Sequence, residues 1–214
     1  MKTSAQELFL QANQCYAKKD FKGAEHLYQK IPKKTAAIWY NLGNCAYKNG
    51  DELQALLYWQ RAKKIGNSTI SNDSGYNCDV VSKKLNLPPS SYTLMPNIPA
   101  LPLQILFFCT FSVFLIFNRK LWNAKRFTLL VSLSILVMGA AAMTYASYRN
   151  STNTYALIMH DESTMYAGPD IGYHEVAKIP KGNRVKVLEQ KNHWSKICWS
   201  GYTGWMQDEK IELI

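Results

Sequence analysis

The sequence predicts a multidomain membrane protein that combines all-α helical repeats, two transmembrane α-helices and a small all-β barrel near its C-terminal end. Three observations predict this fold class. A pattern of aromatic, small and polar residues recurs before residue 86, two uncharged apolar runs lie within residues 101–148, and hydrophobic residues alternate along short segments after residue 154. These periods are typical of paired helices, membrane-length helices and strands, respectively.

The two apolar runs cover residues 101–117 and 127–148, with the basic loop 118–126 between them. They contain 17 and 22 residues without a charge, enough for a helix to cross a hydrocarbon core of about 30 Å. The alternative is a buried helical hairpin in a globular core, but such helices usually keep a polar stripe. We therefore expect a two-helix transmembrane hairpin over residues 101–148.

The loop 118–126 indicates the orientation of this hairpin, because it carries four Lys and Arg and no acid. Short loops rich in Lys and Arg stay in the cytoplasm, so both flanking regions are expected on the outer side. Residues 1–19 lack the apolar core of a signal peptide. A leader upstream, transfer of the N-terminal region by the first span and an inverted orientation all stay open, and the upstream leader is the preferred interpretation.

The formal net charge of +10 raises the question of nucleic-acid binding. Residues 1–100 carry 13 Lys and Arg against 7 Asp and Glu, the loop carries four basic residues, and the remainder carries eight of each. Much of the excess of positive charge therefore lies in the loop 118–126, where it indicates membrane orientation. The remaining positive charges form no dense basic block. We expect no nucleic-acid partner.

Residues 1–86 repeat at an offset of 31, a period typical of stacked helical pairs. The corresponding pairs are Asn13 and Asn44, Tyr16 and Tyr47, Asp20 and Asp51, Ala24 and Ala55, and Tyr28 and Trp59. The second unit resembles the tetratricopeptide repeat through Trp39, Leu42, Gly43, Ala46, Gly50, Ala55, Trp59 and Ala62. A closing helix over residues 73–85 and a proline-rich linker over residues 87–100 follow.

The tetratricopeptide resemblance implies a concave groove for a partner segment. An asparagine at this position of the family both donates to and accepts from a bound peptide backbone, and the groove residues predicted here are Asn13, Tyr16, Asn44, Tyr47 and Asn77. The alternative is that the asparagines are merely solvated. A carboxylate clamp is not expected, because Phe9 and Tyr40 occupy the positions of its lysines.

Residues 154–214 alternate in hydrophobicity between turn residues, which predicts a small antiparallel barrel. The segments 165–169, 180–187, 194–197 and 201–206 resemble the bacterial SH3-like domain, with Gly204 expected at a tight turn and Trp205 expected to seal the barrel. Exposed aromatic residues of such a domain are candidate ligand contacts, namely Tyr166, Tyr173 and Tyr202.

No catalytic, metal or cofactor site is predicted. His160, Asp161, Glu162 and Ser163 are types used in catalysis, but neighbours on a strand or turn point apart and cannot form a relay alone. The five cysteines lack C-x-x-C spacing and are interpreted as packing residues. We therefore expect a protein that is not an enzyme and needs no cofactor.

The order of parts, repeats followed by a hairpin and an SH3-like terminus, resembles the tetratricopeptide member of the bacterial aerotolerance operon (Bat) proteins. This resemblance implies an inner-membrane, periplasm-facing scaffold that works with von Willebrand factor A-type membrane proteins. The expected function is thus protein binding through the repeat groove. The alternative is a cell-wall module whose SH3-like domain binds peptidoglycan or wall peptides.

Overall fold

The computed structural model describes residues 4–87, 153–161 and 163–214, together with Cys109, Gly139, Ala141, Ala142 and Tyr145. The chain divides into two compact units. The first combines Met1–Ser91 with Thr154–Ile214, and the second is Tyr92–Asn153. All the helices and strands treated below belong to the first unit, because the second lies almost entirely outside the described residues.

The N-terminal part of the first unit contains five α-helices among the described residues, each packed against the next along the chain. They are α1 (Ala5–Ala17), α2 (Phe21–Lys30), α3 (Ala36–Lys48), α4 (Glu52–Ile65) and α5 (Ser68–Lys84). Helices α1 and α3 begin 31 residues apart, and so do α2 and α4. The offset seen in the sequence is therefore the spacing of two successive helical pairs.

A side chain caps the N-terminus of each of these five helices, which fixes where each begins. The capping residues are Ser4, Asp20, Thr35, Asp51 and Asn67. Each cap satisfies a backbone N–H that has no partner within the helix. Asp51 Oδ1, for example, accepts a hydrogen bond from the backbone N–H of Gln54 at 3.0 Å.

The helical core depends on a close approach of α3 and α4. A Cβ atom on Gly43 would lie 2.5 Å from the indole of Trp59, so only a residue without a side chain admits this ring. Leu42, Leu56 and Leu57 are nearly or fully buried in the same cluster. Close packing of this kind makes the position of Trp59 well defined.

The C-terminal part is one antiparallel sheet of seven strands in the order β3-β2-β6-β5-β4-β1-β7. The strands are β1 (Thr154–Ile158), β2 (Ser163–Tyr166), β3 (Glu175–Ile179), β4 (Arg184–Lys191), β5 (Trp194–Trp199), β6 (Tyr202–Gln207) and β7 (Ile211–Leu213). A single 3₁₀ turn, Asp208–Lys210, joins β6 to β7. Sequential strands β4, β5 and β6 are neighbours, as expected for short hairpin connections.

The sheet has a buried inner face and a more polar outer face. Met165, Ile179, Ile197 and Met206 are fully buried on the inner face. Because these side chains project from one face of a single sheet, the sheet must wrap around them. Gly204 lies within β6 rather than in a turn. A Cβ atom added to it would lie 2.7 Å from the backbone oxygen of Tyr166 on β2. Its role is close strand approach, which corrects the predicted turn.

The structure contradicts the predicted membrane hairpin. In the part of the chain that it describes, no helix is long and apolar enough to cross a membrane. The longest described helix, α5, has 17 residues and includes polar serine, asparagine and aspartate side chains. The apolar runs 101–117 and 127–148 lie outside the described residues except for five isolated positions. The predicted fold class is corrected to helices plus an antiparallel sheet, and the inner-membrane localisation is withdrawn with it.

Candidate functional site

A cleft of about 340 Å³ opens between helices of the N-terminal part. The described residues that line it are four tyrosines, one tryptophan, two asparagines and two valines. Tyr16, Asn44, Tyr47 and Asn77, four of the five residues predicted to line a groove, are among them. We call this the helical cleft.

The fifth predicted groove residue, Asn13, is not part of the lining. Its Oδ1 accepts a hydrogen bond from the hydroxyl of Tyr28, 15 positions further along the chain. Asn44 repeats the arrangement, because its Oδ1 accepts from Trp59 Nε1 at 3.1 Å, again over 15 positions. The recurring asparagines thus use an acceptor to join the two helices of a pair. The expectation that both donor and acceptor serve a bound peptide stays a prediction.

The described lining of the helical cleft contains no charged side chain. Burial, together with the nearby Cys45 and Tyr40, raises the pKa of Tyr16. Its hydroxyl therefore stays protonated and able to donate through the neutral pH range. Near the cleft, Lys84 forms an ion pair with Glu52, so these two opposite charges offset one another. The cleft is consequently suited to a neutral ligand.

A second candidate surface lies on the outer face of the sheet. Tyr166 on β2 is directly opposite Trp205 on β6, and Trp205 is directly opposite Lys196 on β5. Directly paired residues project from the same face of a sheet. Trp194 joins them, with its ring 5.9 Å from that of Tyr166 in an edge-to-face contact. We call these four partly exposed residues the aromatic face.

The aromatic face combines ring surfaces with one cation. Lys196 Nζ lies 5.8 Å from the centre of the Trp205 ring, within the range of a cation–π contact. Aromatic residues with one apolar and one polar edge are typical of recognition surfaces. Trp205 therefore contributes to the outer surface and does not close the core, which corrects its predicted role.

The structure does not bring together the three tyrosines predicted as ligand contacts. Tyr166 belongs to the aromatic face, but Tyr173 lies in the loop between β2 and β3 against Gly168 and is 53% exposed. Tyr202 begins β6 and is 58% exposed. Sequence reasoning instead missed Trp194 as a surface residue. Its alternation with Ser195 and Ile197, both buried in the structure, is the signal that could have identified it.

The residues considered for catalysis have structural contacts. Ser163 is fully buried and its Oγ donates to the backbone oxygen of His160 at 2.9 Å. Asp161 forms an exposed ion pair with Lys181 at 2.9 Å. Within the described ranges, no three His, Cys, Asp or Glu side chains are grouped so that they could hold a metal ion.

Comparison with known proteins identifies the class of the C-terminal part. Residues 162–210 match the family described as "Bacterial SH3 domain". A Bacillus subtilis (strain 168) protein named "Putative N-acetylmuramoyl-L-alanine amidase YrvJ" is 32% identical over 47 residues, which is 22% of this chain and 9% of that protein. The first unit therefore contains a bacterial SH3 domain.

The solved structure of NlpC2 from Trichomonas vaginalis matches this chain with 18% sequence identity and a TM-score of 0.26. The matched region is 28% of this chain and 23% of the NlpC2 chain. This similarity is too low to support an argument about function or fold. The chain spans well under two thirds of the length of either protein that it matches. The activities of those complete proteins are therefore not transferred to it.

Proposed function

We propose that the protein is a cell-wall-associated module whose bacterial SH3 domain binds peptidoglycan. The observation that carries the proposal is the aromatic face on the matched domain, where Tyr166, Trp194 and Trp205 lie together beside Lys196. A ligand that covers this surface buries the rings while Lys196 contacts its acidic groups. The similarity to a protein named as a muramoyl-alanine amidase supports a wall ligand.

The protein is proposed to act by binding and not by catalysis. Ser163, the nucleophile considered in the sequence, is buried and its hydroxyl is hydrogen-bonded to a backbone carbonyl. A nucleophile needs an accessible oxygen and a base that takes its proton. Ser163 has neither an accessible oxygen nor a base in these contacts. Catalysis in a wall complex would therefore come from a partner.

The scaffold interpretation, in which the repeats hold a segment of a partner protein, stays a prediction. It requires a peptide in the helical cleft, where the Asn44 carbonyl oxygen already accepts a hydrogen bond from Trp59 Nε1. The aerotolerance resemblance relied partly on the membrane hairpin, so von Willebrand factor A-type partners are not carried into the proposal. The wall-binding interpretation is favoured because a matched domain supports it.

Co-sedimentation of the full chain with purified, insoluble peptidoglycan tests this proposal. Cellulose serves as an insoluble control polymer without stem peptides. We expect the protein in the peptidoglycan pellet and in the cellulose supernatant, at both low and physiological salt. Protein that stays in the supernatant with both polymers at low salt contradicts the proposal, and equal retention by both polymers contradicts its specificity.

A further inference from the structure

The helical cleft has a chemistry unlike that of the hydrophobic core around it. Among the described residues, nine line the cleft; five of these are aromatic, two are asparagines and none carries a charge. A charged ligand would lose hydration there without gaining an opposite charge, which is unfavourable. Its volume of about 340 Å³ lies within the range of small-molecule sites. The cleft therefore fits an uncharged ligand that has both apolar and hydrogen-bonding edges.

The floor of the cleft is rigid before any ligand arrives. Trp59 is only 3% exposed, is packed against Gly43 and donates its indole N–H to Asn44. The Tyr47 ring lies 5.7 Å from that of Trp59. Because these contacts fix the rings in advance, binding loses little side-chain entropy.

The rim of the cleft leaves apolar surface in contact with water. Tyr76 on α5 is 71% exposed and Val80, one turn further along, is 43% exposed. Both line the cleft, so a ligand seated in it would cover them. Exposed apolar groups beside a polar cleft are typical of a binding site.

Hydrogen-bonding capacity in the cleft favours a ligand that is rich in acceptors. Asn44 Oδ1 already accepts a hydrogen bond from Trp59 Nε1, so one of its two lone pairs is used. Its Nδ2 group has two N–H donors, which are the larger hydrogen-bonding capacity left on this side chain. Tyrosine hydroxyls and an amide N–H suit hydroxyl and acetamido oxygens, and ring faces suit the apolar face of a sugar.

We propose that the helical cleft binds an uncharged, N-acetylated oligosaccharide segment as a site separate from the SH3 domain. Tyr47 and Tyr76 contact the apolar faces of the sugar rings, and Asn44 and Asn77 bond their acetamido or hydroxyl groups. The biological source of such a glycan, the cell wall, rests on the proposed function. The cleft chemistry itself does not depend on that source.

The probe for this site is the soluble tetramer of β-1,4-linked N-acetylglucosamine, titrated into the full chain by calorimetry. We expect binding to the wild type and a loss of affinity of roughly tenfold or more in Tyr76→Ala, the size expected when one stacking contact is removed. The exposed side chain of Tyr76 makes this variant compatible with folding. Tyr173→Ala, an exposed tyrosine outside the cleft, is the matched control and should bind normally.

Three results would overturn the proposal. The first is that the tetramer gives no heat of binding. The second is binding that survives Tyr76→Ala and Asn77→Ala but is lost in Trp194→Ala, and the third is preferential binding of an uncharged peptide of similar length. The second result would place the sugar on the SH3 domain, and the third would restore the scaffold interpretation. Co-sedimentation with peptidoglycan is measured in the same Tyr76→Ala variant. If peptidoglycan retains the Tyr76→Ala variant and the tetramer gives no heat of binding to the wild type, the cleft proposal is refuted and the wall-binding function stands.

Discussion

Arg61 on α4 and Glu212 on β7 are 151 positions apart in the chain, yet their side chains form an ion pair at 2.9 Å. Arg61 also donates from Nε to the backbone oxygen of Leu213 at 2.8 Å and lies over the Trp39 ring, 4.9 Å from its centre. Leu157, fully buried, belongs to the helical hydrophobic cluster. The helices and the SH3 domain therefore share contacts within one compact unit.

Replacing Arg61 should destabilise this unit more than replacing its acidic partner. Arg61→Ala removes a cation–π contact and a hydrogen bond to backbone, which are each worth about 1 kcal/mol. Glu212 is 54% exposed at its side chain, so its ion pair contributes less than about 1 kcal/mol. Urea unfolding should show a loss of about 1–2 kcal/mol for Arg61→Ala and a smaller loss for Glu212→Ala. Equal losses would contradict the assigned role of Arg61.

The turns between paired helices offer a matched test of the repeat. Lys19, after α1, and Gly50, after α3, are 31 residues apart and both have positive φ, 64° and 87°. A residue with a side chain is strained in this conformation, whereas glycine is not. Lys19→Gly should therefore raise the free energy of unfolding by about 1 kcal/mol, and Gly50→Ala should lower it by a similar amount. Chemical denaturation measures both; a destabilised Lys19→Gly would contradict the assigned turn geometry.

Alkaline pH should destabilise the helical part. Burial, reinforced by Glu25, raises the pKa of Cys45 to about 12, and burial, reinforced by Cys45, raises the pKa of Tyr28 to about 12. In the unfolded chain these groups ionise near their ordinary values of about 8.5 and 10. The unfolded state therefore loses protons first, so the contribution of these two groups to the free energy of unfolding is highest below about pH 8 and falls toward pH 12.

Urea unfolding at several pH values above 8 measures this decline. The double variant Cys45→Ala with Tyr28→Phe removes both groups and should flatten it. If the free energy of unfolding declines as steeply with pH in the double variant as in the wild type, residues other than Cys45 and Tyr28 cause the decline. Alkylation at Cys45 provides a second readout, because its raised pKa keeps this thiol protonated at pH 8 and Cys45 should resist iodoacetamide there as long as the chain is folded.

Gly204 should tolerate no larger residue. A Cβ atom there would lie 2.6 Å from Met165 Cγ and 2.7 Å from the backbone oxygen of Tyr166. Gly204→Ala must push β2 away from β6, at a cost of about 1–3 kcal/mol. Thr203→Ala, the adjacent exposed position, is the control and should change the midpoint much less. Thermal unfolding checks both variants, and an unchanged midpoint in Gly204→Ala would contradict the close approach of the strands.

The helical part follows from the sequence because its repeat is local. The Asp51 cap and the packing of Gly43 against Trp59 are contacts within one helical pair, and the 31-residue offset is the spacing at which such a pair recurs. Four residues of the groove prediction, Tyr16, Asn44, Tyr47 and Asn77, line one cleft, and their role in partner binding stays a prediction. Asn13 is not part of that lining, because Tyr28 engages its side chain, a contact that a sequence pattern does not show.

The aromatic face could not be predicted because it depends on strand register. Strand β2 has only four residues, and its pairing of Tyr166 with Trp205 joins segments about 40 positions apart. Tyr173 and Tyr202 were predicted only as exposed aromatic residues, and the register leaves both outside the aromatic face. The membrane hairpin was predicted from run length and loop charge, without any information from tertiary contacts.

The most direct test of the central claim compares Trp194→Ala with Tyr202→Ala in co-sedimentation of the full chain with purified peptidoglycan. Trp194 belongs to the aromatic face, whereas Tyr202 is an exposed aromatic residue outside it. Circular dichroism establishes that both variants are folded. We predict that Trp194→Ala loses roughly tenfold or more in affinity while Tyr202→Ala is retained like the wild type. Normal retention of a folded Trp194→Ala variant would contradict the assignment of the aromatic face as the peptidoglycan-binding surface.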